Sequence, residues 1–169
     1  MEAIVIRSST PDDIDAIARV HREAFRRDDE ARLVEALVAG EFARISLVAT
    51  LADDVVGHIF FSSVRILGSG RELSALALAP LAVLPAHQRR GIGSRLAREG
   101  LRECERQRID VVLVLGDPHF YERCGFSVEL ARSLQCRYSG AHFMAKELIP
   151  GALAGIAARI DYPQAFDKL

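Results

Sequence analysis

Apolar positions at helical spacing dominate the first 40 residues of the chain, after one short strand. Residues 3–8 alternate in the way that predicts the strand, and Thr10 and Pro11 then provide an N-cap and a first helical position. Two amphipathic helices are predicted to follow, and Gly40 ends the second of them. Their inward positions are Ile14, Ile17, Ala18, His21 and Phe25 in the first helix and Leu33, Leu37 and Val38 in the second.

β-Branched and aromatic residues are concentrated in the next part of the chain. Residues 45–51 and 55–64 form two such runs, and the intervening Ala52-Asp53-Asp54 is typical of a hairpin turn. Gly68-Ser69-Gly70 marks the next turn, and residues 72–83 form the third strand of this predicted meander.

Helices and strands alternate in the second half of the chain. Residues 91–107 predict a helix, and the nearly unbroken apolar run 109–115 predicts a buried strand. A short helix at 118–124 and two late strands at 126–134 and 141–148 complete the pattern. This order of elements is typical of a mixed α/β fold built around a central sheet.

The last stretch, residues 150–169, is compatible with an extra edge strand, a helix or a docked tail. It is small and apolar up to Ile160 and then continues with Asp161-Tyr162-Pro163. We therefore divide the chain into a domain over residues 3–149 and a C-terminal extension over residues 150–169, packed on or beside the domain.

Composition narrows the function classes without choosing one. A length of 169 residues with 50% hydrophobic and 27% charged positions is that of one globular domain. The 22 basic and 23 acidic residues nearly cancel, so the composition argues against a nucleic-acid or membrane-surface partner. Acidic residues near the N-terminus and the lack of an apolar run of about 20 residues argue against a secretory or membrane protein, and we expect a cytoplasmic location.

Neither cysteine nor histidine spacing predicts a metal site. Cys104, Cys124 and Cys136 lack a C-x-x-C pair and are odd in number, which also argues against a disulfide framework. We expect three reduced thiols and no bound metal.

A glycine turn between a strand and a helix is the strongest chemical signal. The run from Leu81 to Ser94 contains Q-x-x-G-x-G, and its glycines allow a close approach to the free amides of the helix N-terminus, which suit a pyrophosphate. A Walker A loop is absent, and a dinucleotide fingerprint would need a small residue where Leu96 stands. Pro80 lies inside the preceding strand, and proline is tolerated there mainly at a bulge or where pairing stops.

These residues resemble the acetyl-CoA-binding segment of the GNAT superfamily of N-acetyltransferases. A second segment, Asp117 to Phe126, is similar to the Y-x-x-x-G-F segment that follows the fifth strand in that superfamily. The resemblance covers roughly residues 3–148 and is closest to a subgroup of small bacterial N-acetyltransferases. It implies a central, twisted, mostly antiparallel mixed sheet of about seven strands, flanked by about four helices.

The resemblance also implies roles for individual residues. The turn from Arg89 to Ser94 would hold the pyrophosphate of acetyl-CoA, with Gln88 opening the turn, and the backbone of Leu81 and Val83 would run beside the pantetheine arm. One of those backbone N–H groups would polarise the thioester carbonyl. The full set of implied cofactor-binding residues is Leu81, Ala82, Val83, Gln88, Arg89, Arg90, Gly91, Ile92, Gly93 and Ser94.

Tyr121 matches the position whose hydroxyl protonates the departing CoA thiolate in that superfamily. A thiol has a pKa near 8.5, so a hydroxyl within about 3 Å can assist its departure at neutral pH. The base that neutralises the acceptor amine cannot be carried over, because residues 111–115 contain no acid. The candidates left open are Glu72, His58, Asp117, His119 and a water relay.

We therefore expect an acetyl-CoA-dependent N-acetyltransferase that acts on a primary amine by direct transfer in a ternary complex, without a cysteine nucleophile. A non-catalytic acyl-CoA-binding or sensing module is the alternative, and an enzyme for a longer acyl group is a third hypothesis. The sequence does not distinguish a small-molecule from a peptide acceptor. A homodimer is common among proteins of this resemblance.

Overall fold

One sheet of eight strands organises the protein over residues 2–169, the part of the chain that the computed structural model describes. The strands are β1 (Val5–Ser8), β2 (Ala43–Leu51), β3 (Asp54–Leu67), β4 (Ala75–Val83), β5 (Val111–Leu115), β6 (Leu134–Gln135), β7 (Phe143–Glu147) and β8 (Ala158–Asp161). The helices are α1 (Ile14–Phe25), α2 (Asp29–Ala39), α3 (Ile92–Arg106), α4 (Pro118–Arg123) and α5 (Val128–Ala131). Short 3-10 turns cover Pro11–Asp13, Pro85–His87 and Gln164–Lys168.

The strands follow the order β1-β2-β3-β4-β5-β7 across the sheet. All neighbours in this order are antiparallel except β4 and β5, which are parallel and are connected through α3. β8 pairs antiparallel with the end of β3 and parallel with β6. The predicted mixed, mostly antiparallel α/β fold is confirmed, with one strand more than the predicted number of about seven.

Side chains of successive strand residues enter the two cores on opposite faces of the sheet. Val112 and Val114 of β5 join the core beneath α3, whereas Val111 and Leu113 join the core beneath α2 and the C-terminal residues. Burial on both faces explains why residues 111–114 of this strand are all apolar, whereas Leu115 at its end is exposed.

Helix α3 lies close to the sheet. A Cβ at Gly100 would fall 2.5 Å from the Phe61 ring, so only a glycine permits this approach. The close packing of α3 on β3 fixes the N-terminus of α3 beside the end of β4, where the glycine turn lies.

The prediction of a strand over residues 126–134 is wrong. Ser127 forms only an isolated bridge with Ala145, and Val128–Ala131 are helical. The reason is local, because the Ser127 hydroxyl accepts a hydrogen bond from the Leu130 amide and caps a helical turn.

The stretch at residues 150–169 contains an edge strand, β8, and a final 3-10 turn. Leu153, Ile156, Ile160 and Phe166 are buried in the core beneath α2. None of the helices over residues 2–169 has the length and apolar character needed to cross a membrane.

Candidate active site

The parallel strands β4 and β5 separate halfway along β4. Their pairing runs from Ala75 opposite Val111 to Leu78 opposite Val114 and then ends. At that point β4 bulges, because Ala79 and Pro80 together lie opposite the single residue Phe60 of β3. The Ala79–Pro80 peptide bond is cis. The expected irregularity at Pro80 therefore coincides with the end of the β4–β5 ladder.

A cavity of about 610 Å³, here called the slot, lies where the two strands separate. Its walls come from the end of β4, the glycine turn, the start of α3, the region of α4 and the end of α1. It is lined by Leu81, Ala82, Val83, His87, Gln88, Arg89, Gly91, Ile92, Gly93, Ser94, Asp117, Phe120, Tyr121, Arg123, Ala24 and Phe25. The slot thus brings together the predicted site residues apart from Arg90, which is exposed beside it.

The end of β4 presents unpaired backbone groups to the slot. The Leu84 N–H donates to the Val56 carbonyl and so points toward β3. Because backbone groups alternate in direction along a strand, the N–H groups of Leu81 and Val83 point the other way, toward the gap left by β5. They are available to an extended ligand that takes the place of a strand.

The glycine turn directs further amides into the slot. Arg89 and Gly91 have left-handed φ angles of 62° and 79°, and successive residues of opposite hand form an anion-binding concavity. The side-chain amide of Gln88 donates to the Val83 carbonyl at 2.9 Å and ties the turn to the end of β4. The first free amides of α3 belong to the same surface, and they carry the partial positive charge of a helix N-terminus.

Tyr121 stands on the opposite wall. Its ring lies against Gly116, where a Cβ would approach Tyr121 Cε2 to 2.5 Å, and it makes edge contacts with Phe120 and Phe126. Asp117 caps α4 by accepting the His119 amide at 3.0 Å and so sets the start of the helix that carries Tyr121. Burial raises the pKa of the Tyr121 hydroxyl above its usual value, so the group is protonated at neutral pH.

Comparison with known proteins identifies this architecture. The family model described as an acetyltransferase (GNAT) domain matches residues 5–128. The chain belongs to the GNAT family. The predicted family and the predicted enzyme class, N-acetyltransferase, are both confirmed.

Individual relatives agree with the family assignment. The N-acetyltransferase YhbS of Escherichia coli K12 is 34% identical over 98% of this chain and 99% of its own length. The crystal structure of YhbS in complex with CoA superposes with a TM-score of 0.92 at 32% identity, covering 100% of this chain and 94% of that one. A GNAT acetyltransferase of Brucella melitensis in complex with acetyl-CoA gives a TM-score of 0.82 at 33% identity, covering 99% and 100%.

The four side chains that the sequence offered as the base for the acceptor amine lie in different parts of this GNAT protein. Glu72 is exposed in the loop before β4, at the far end of that strand from the slot, and His119 is exposed outside the slot. Asp117 lines the slot, but its carboxylate is engaged as the cap of α4. His58 is fully buried beneath α1 and forms hydrogen bonds with His21 and Ser46.

Sequence reasoning placed Phe25 in the region that sets acceptor specificity but missed His21 and Ala24 as neighbours of the site. They lie on α1, and only tertiary packing brings that helix to the slot. Across residues 2–169, no cluster of three or more His, Cys, Asp or Glu side chains is arranged to hold a metal ion.

Proposed function

We propose that this GNAT protein transfers the acetyl group of acetyl-CoA to a primary amine by direct attack within a ternary complex. One observation carries the proposal: β4 separates from β5 beyond Leu78, beside the N-terminus of α3 and opposite Tyr121. This gap combines an unpaired strand edge, an anion-binding turn and a hydroxyl. The YhbS and Brucella structures, described with CoA and acetyl-CoA, support the same donor for this chain.

The pantetheine arm fits along the free edge of β4. Its two amides can pair with the backbone of Leu81 and Val83 as an added strand would. The pyrophosphate then meets the amides of the turn from Arg89 to Ser94, where the left-handed residues and the α3 N-terminus favour negative charge.

The nucleotide end extends toward positive side chains. A second cavity of about 430 Å³ shares Ser94 and Arg123 with the slot and is also lined by Arg98, Arg102 and Lys146. Its four basic side chains outnumber its one acidic side chain, Glu105, so its charge suits a phosphate group at the adenosine end of CoA.

The chemistry follows from the two walls of the slot. Acetyl-CoA supplies an activated thioester, and a β4 amide of Leu81 or Val83 donates to its carbonyl oxygen as negative charge develops there. The amine nitrogen forms the new C–N bond, the C–S bond breaks, and the Tyr121 hydroxyl hydrogen-bonds and protonates the departing sulfur. Burial raises the pKa of Tyr121, so the hydroxyl is protonated throughout the neutral pH range and donates a hydrogen bond to the sulfur until negative charge develops there.

The acceptor enters on the side formed by α1. Ala24 and Phe25 close that part of the slot, and Phe25 is 39% exposed. An apolar wall with an aromatic side chain excludes no class of amine, so both small molecules and peptides remain acceptors to test.

Two measurements test the proposal. Calorimetry with CoA and acetyl-CoA should give one binding event per chain, and a thiol-release assay should detect turnover with one member of a panel of polyamines, aminoglycosides, amino acids and lysine-containing peptides. Absence of binding would contradict the donor assignment. Binding without thiol release from any amine would instead favour the non-catalytic acyl-CoA-binding module.

A further inference from the structure

Four side chains form a continuous hydrogen-bonded chain beneath helix α1. His21 Nε2 lies 2.8 Å from His58 Nδ1, and His58 Nε2 lies 2.8 Å from the Ser46 hydroxyl. The Ser9 and Ser46 hydroxyl oxygens lie 2.7 Å apart, and either hydroxyl can donate to the other. Both imidazoles are fully buried, whereas the two serines are partly exposed. The chain therefore runs from the interior of the protein toward solvent.

The two ends of this chain adjoin two different cavities. Ser9 and Ser46 line a cavity of about 480 Å³ between α1, α2 and the sheet, here called the α1–α2 cavity. At the other end, the His21 ring is stacked parallel to Phe25, with centroids 6.1 Å apart, and Phe25 lines the slot. One aromatic ring thus separates the end of the chain from the proposed site of acetyl transfer.

His21 Nδ1 is a buried ring nitrogen with no hydrogen-bond partner among the described residues. An unsatisfied buried polar atom of this kind costs about 1–3 kcal/mol, and such atoms in native structures call for an explanation. This nitrogen ends the hydrogen-bonded chain, one aromatic ring away from the slot, and so has the position of a proton acceptor.

The hydrogen-bonded chain has two equivalent proton arrangements. With both imidazoles neutral, either each ring carries its proton on Nδ1 and accepts at Nε2, or each carries it on Nε2 and accepts at Nδ1. The two arrangements differ by one proton moved along the chain. In the second arrangement, the lone pair of His21 Nδ1 is free to accept.

We infer that His21, His58, Ser46 and Ser9 form a proton relay that carries the proton lost by the acceptor amine from the slot to the α1–α2 cavity. This inference rests on the proposed function, because it assigns the deprotonation step of that reaction. It assigns proton transfer to His21, Ser46 and Ser9, and it makes His58 an intermediate group in the relay rather than the base itself.

The proton moves one position at each bond of the relay. As the C–N bond forms and Phe25 turns aside, the amine proton passes to His21 Nδ1, directly or through one water. The proton on His21 Nε2 passes to His58 Nδ1, and that on His58 Nε2 passes to Ser46. Ser46 passes its proton to Ser9, which releases one to water in the α1–α2 cavity. Tyr121 separately protonates the CoA sulfur and regains a proton from water that enters the slot when CoA leaves, so the protons balance over one turnover.

The surroundings keep both rings neutral between transfers. Burial lowers the pKa of His21 to about 4, and burial together with the neighbouring His21 lowers that of His58 well below its usual value. The buried carboxylates on the adjoining elements are Asp13, bonded to Arg7 at 2.7 and 2.9 Å, and Glu30, bonded to Arg27 at 2.7 and 3.0 Å. The Arg19 guanidinium on α1 donates to the Val55 carbonyl.

Ser46→Ala interrupts the relay with the smallest change of shape, and His58→Gln interrupts it at the next link. With acetyl-CoA and the most active amine of the panel, each variant should lose about tenfold or more in kcat, while calorimetry shows unchanged acetyl-CoA affinity. The pH at which kcat reaches its plateau should rise, because a free amine must then come from solution. Ser62→Ala is the matched control, since it removes a buried β3 hydroxyl that has no partner among the described residues.

Wild-type kcat and an unchanged pH profile in both folded variants would overturn the relay. A second measurement holds even if no amine of the panel reacts, an outcome that counts against the proposed function alone. Nitrogen-15 NMR of the wild-type protein at pH 7 should show His21 and His58 both neutral, hydrogen-bonded to each other and protonated at the same ring position. A charged ring, or opposite tautomers, would contradict the relay directly.

Discussion

The Tyr121 ring lies directly over Gly116, at a distance that leaves no room for a side chain there. Gly116→Ala would place a Cβ 2.5 Å from Tyr121 Cε2, so the tyrosine must shift out of its position in the slot. We expect kcat to fall about tenfold or more while acetyl-CoA affinity changes little, because a small misplacement of a reacting group is costly. Steady-state kinetics of Gly116→Ala, Tyr121→Phe and the double variant test this coupling. Losses of kcat that add fully in the double variant would show that Gly116 does not act through Tyr121.

Removing the Tyr121 hydroxyl should slow the reaction without weakening donor binding. For Tyr121→Phe we expect kcat to fall roughly a hundredfold, with the acetyl-CoA dissociation constant from calorimetry nearly unchanged. Tyr138→Phe is the matched control, because the Tyr138 hydroxyl bonds to the Phe166 carbonyl, outside the slot. Equal activity of the two variants would remove the proton-donor role from Tyr121.

A charge at the glycine turn should prevent acetyl-CoA binding. Gly91→Glu introduces a carboxylate beside the proposed pyrophosphate position and a Cβ at a left-handed residue, with φ of 79°. We expect the dissociation constant in calorimetry to rise about tenfold or more, from repulsion and strain together.

Gly68→Glu separates those two causes. Gly68 has φ of 82° and open space around it, but it lies in the turn after β3, outside the slot. The Gly68→Glu variant should lose about as much thermal stability as Gly91→Glu and bind acetyl-CoA as the wild-type protein does. Unchanged binding in Gly91→Glu would argue against the turn as the pyrophosphate site.

The buried imidazoles make folding stability depend on pH. The pKa of His21 is lowered to about 4, so between pH 6.5 and 4 the unfolded chain binds more protons than the folded protein. The free energy of unfolding should therefore fall as the pH is lowered through this window, by on the order of 3 kcal/mol from His21 alone. His58 shifts in the same direction and adds to the loss.

Urea unfolding at a series of pH values measures this effect. His119→Gln, at an exposed position, should leave the curve unchanged. A free energy of unfolding that stays constant between pH 6.5 and 4 would mean that the two histidines are not held neutral by the fold.

Local signals predicted the glycine turn and the irregular strand beside it, and the resemblance to the GNAT superfamily added Tyr121. The glycine turn, the helix that follows it and the tyrosine segment are each encoded within a few consecutive residues, and Pro80 marks the bulge in its own strand. The N-terminal amides of α3 can be inferred because a helix start is itself a local structure.

Other parts depend on packing that no local pattern contains. His21 meets His58 across 37 residues, and Ser9 meets Ser46 across another 37, so their hydrogen-bonded chain exists only once α1 has packed on β2 and β3. Ser127 falls within the strand predicted at residues 126–134, whereas its hydroxyl caps a helical turn. The short strand β8, at residues 158–161, depends on pairing with β3 and β6, which are distant in sequence.

The way the slot is built affects which amino-acid substitutions this enzyme can accept during evolution. The proposed contacts to the donor come from main-chain groups of Leu81, Val83 and the turn, which every amino acid supplies apart from the missing N–H of proline. Exchanges of the side chains at Arg89 and Arg90 that keep the positive charge should therefore be nearly neutral for donor affinity. By contrast, the proposed acceptor wall around Phe25 is made of side chains, so a new acceptor preference can arise there by single substitutions while the donor stays the same.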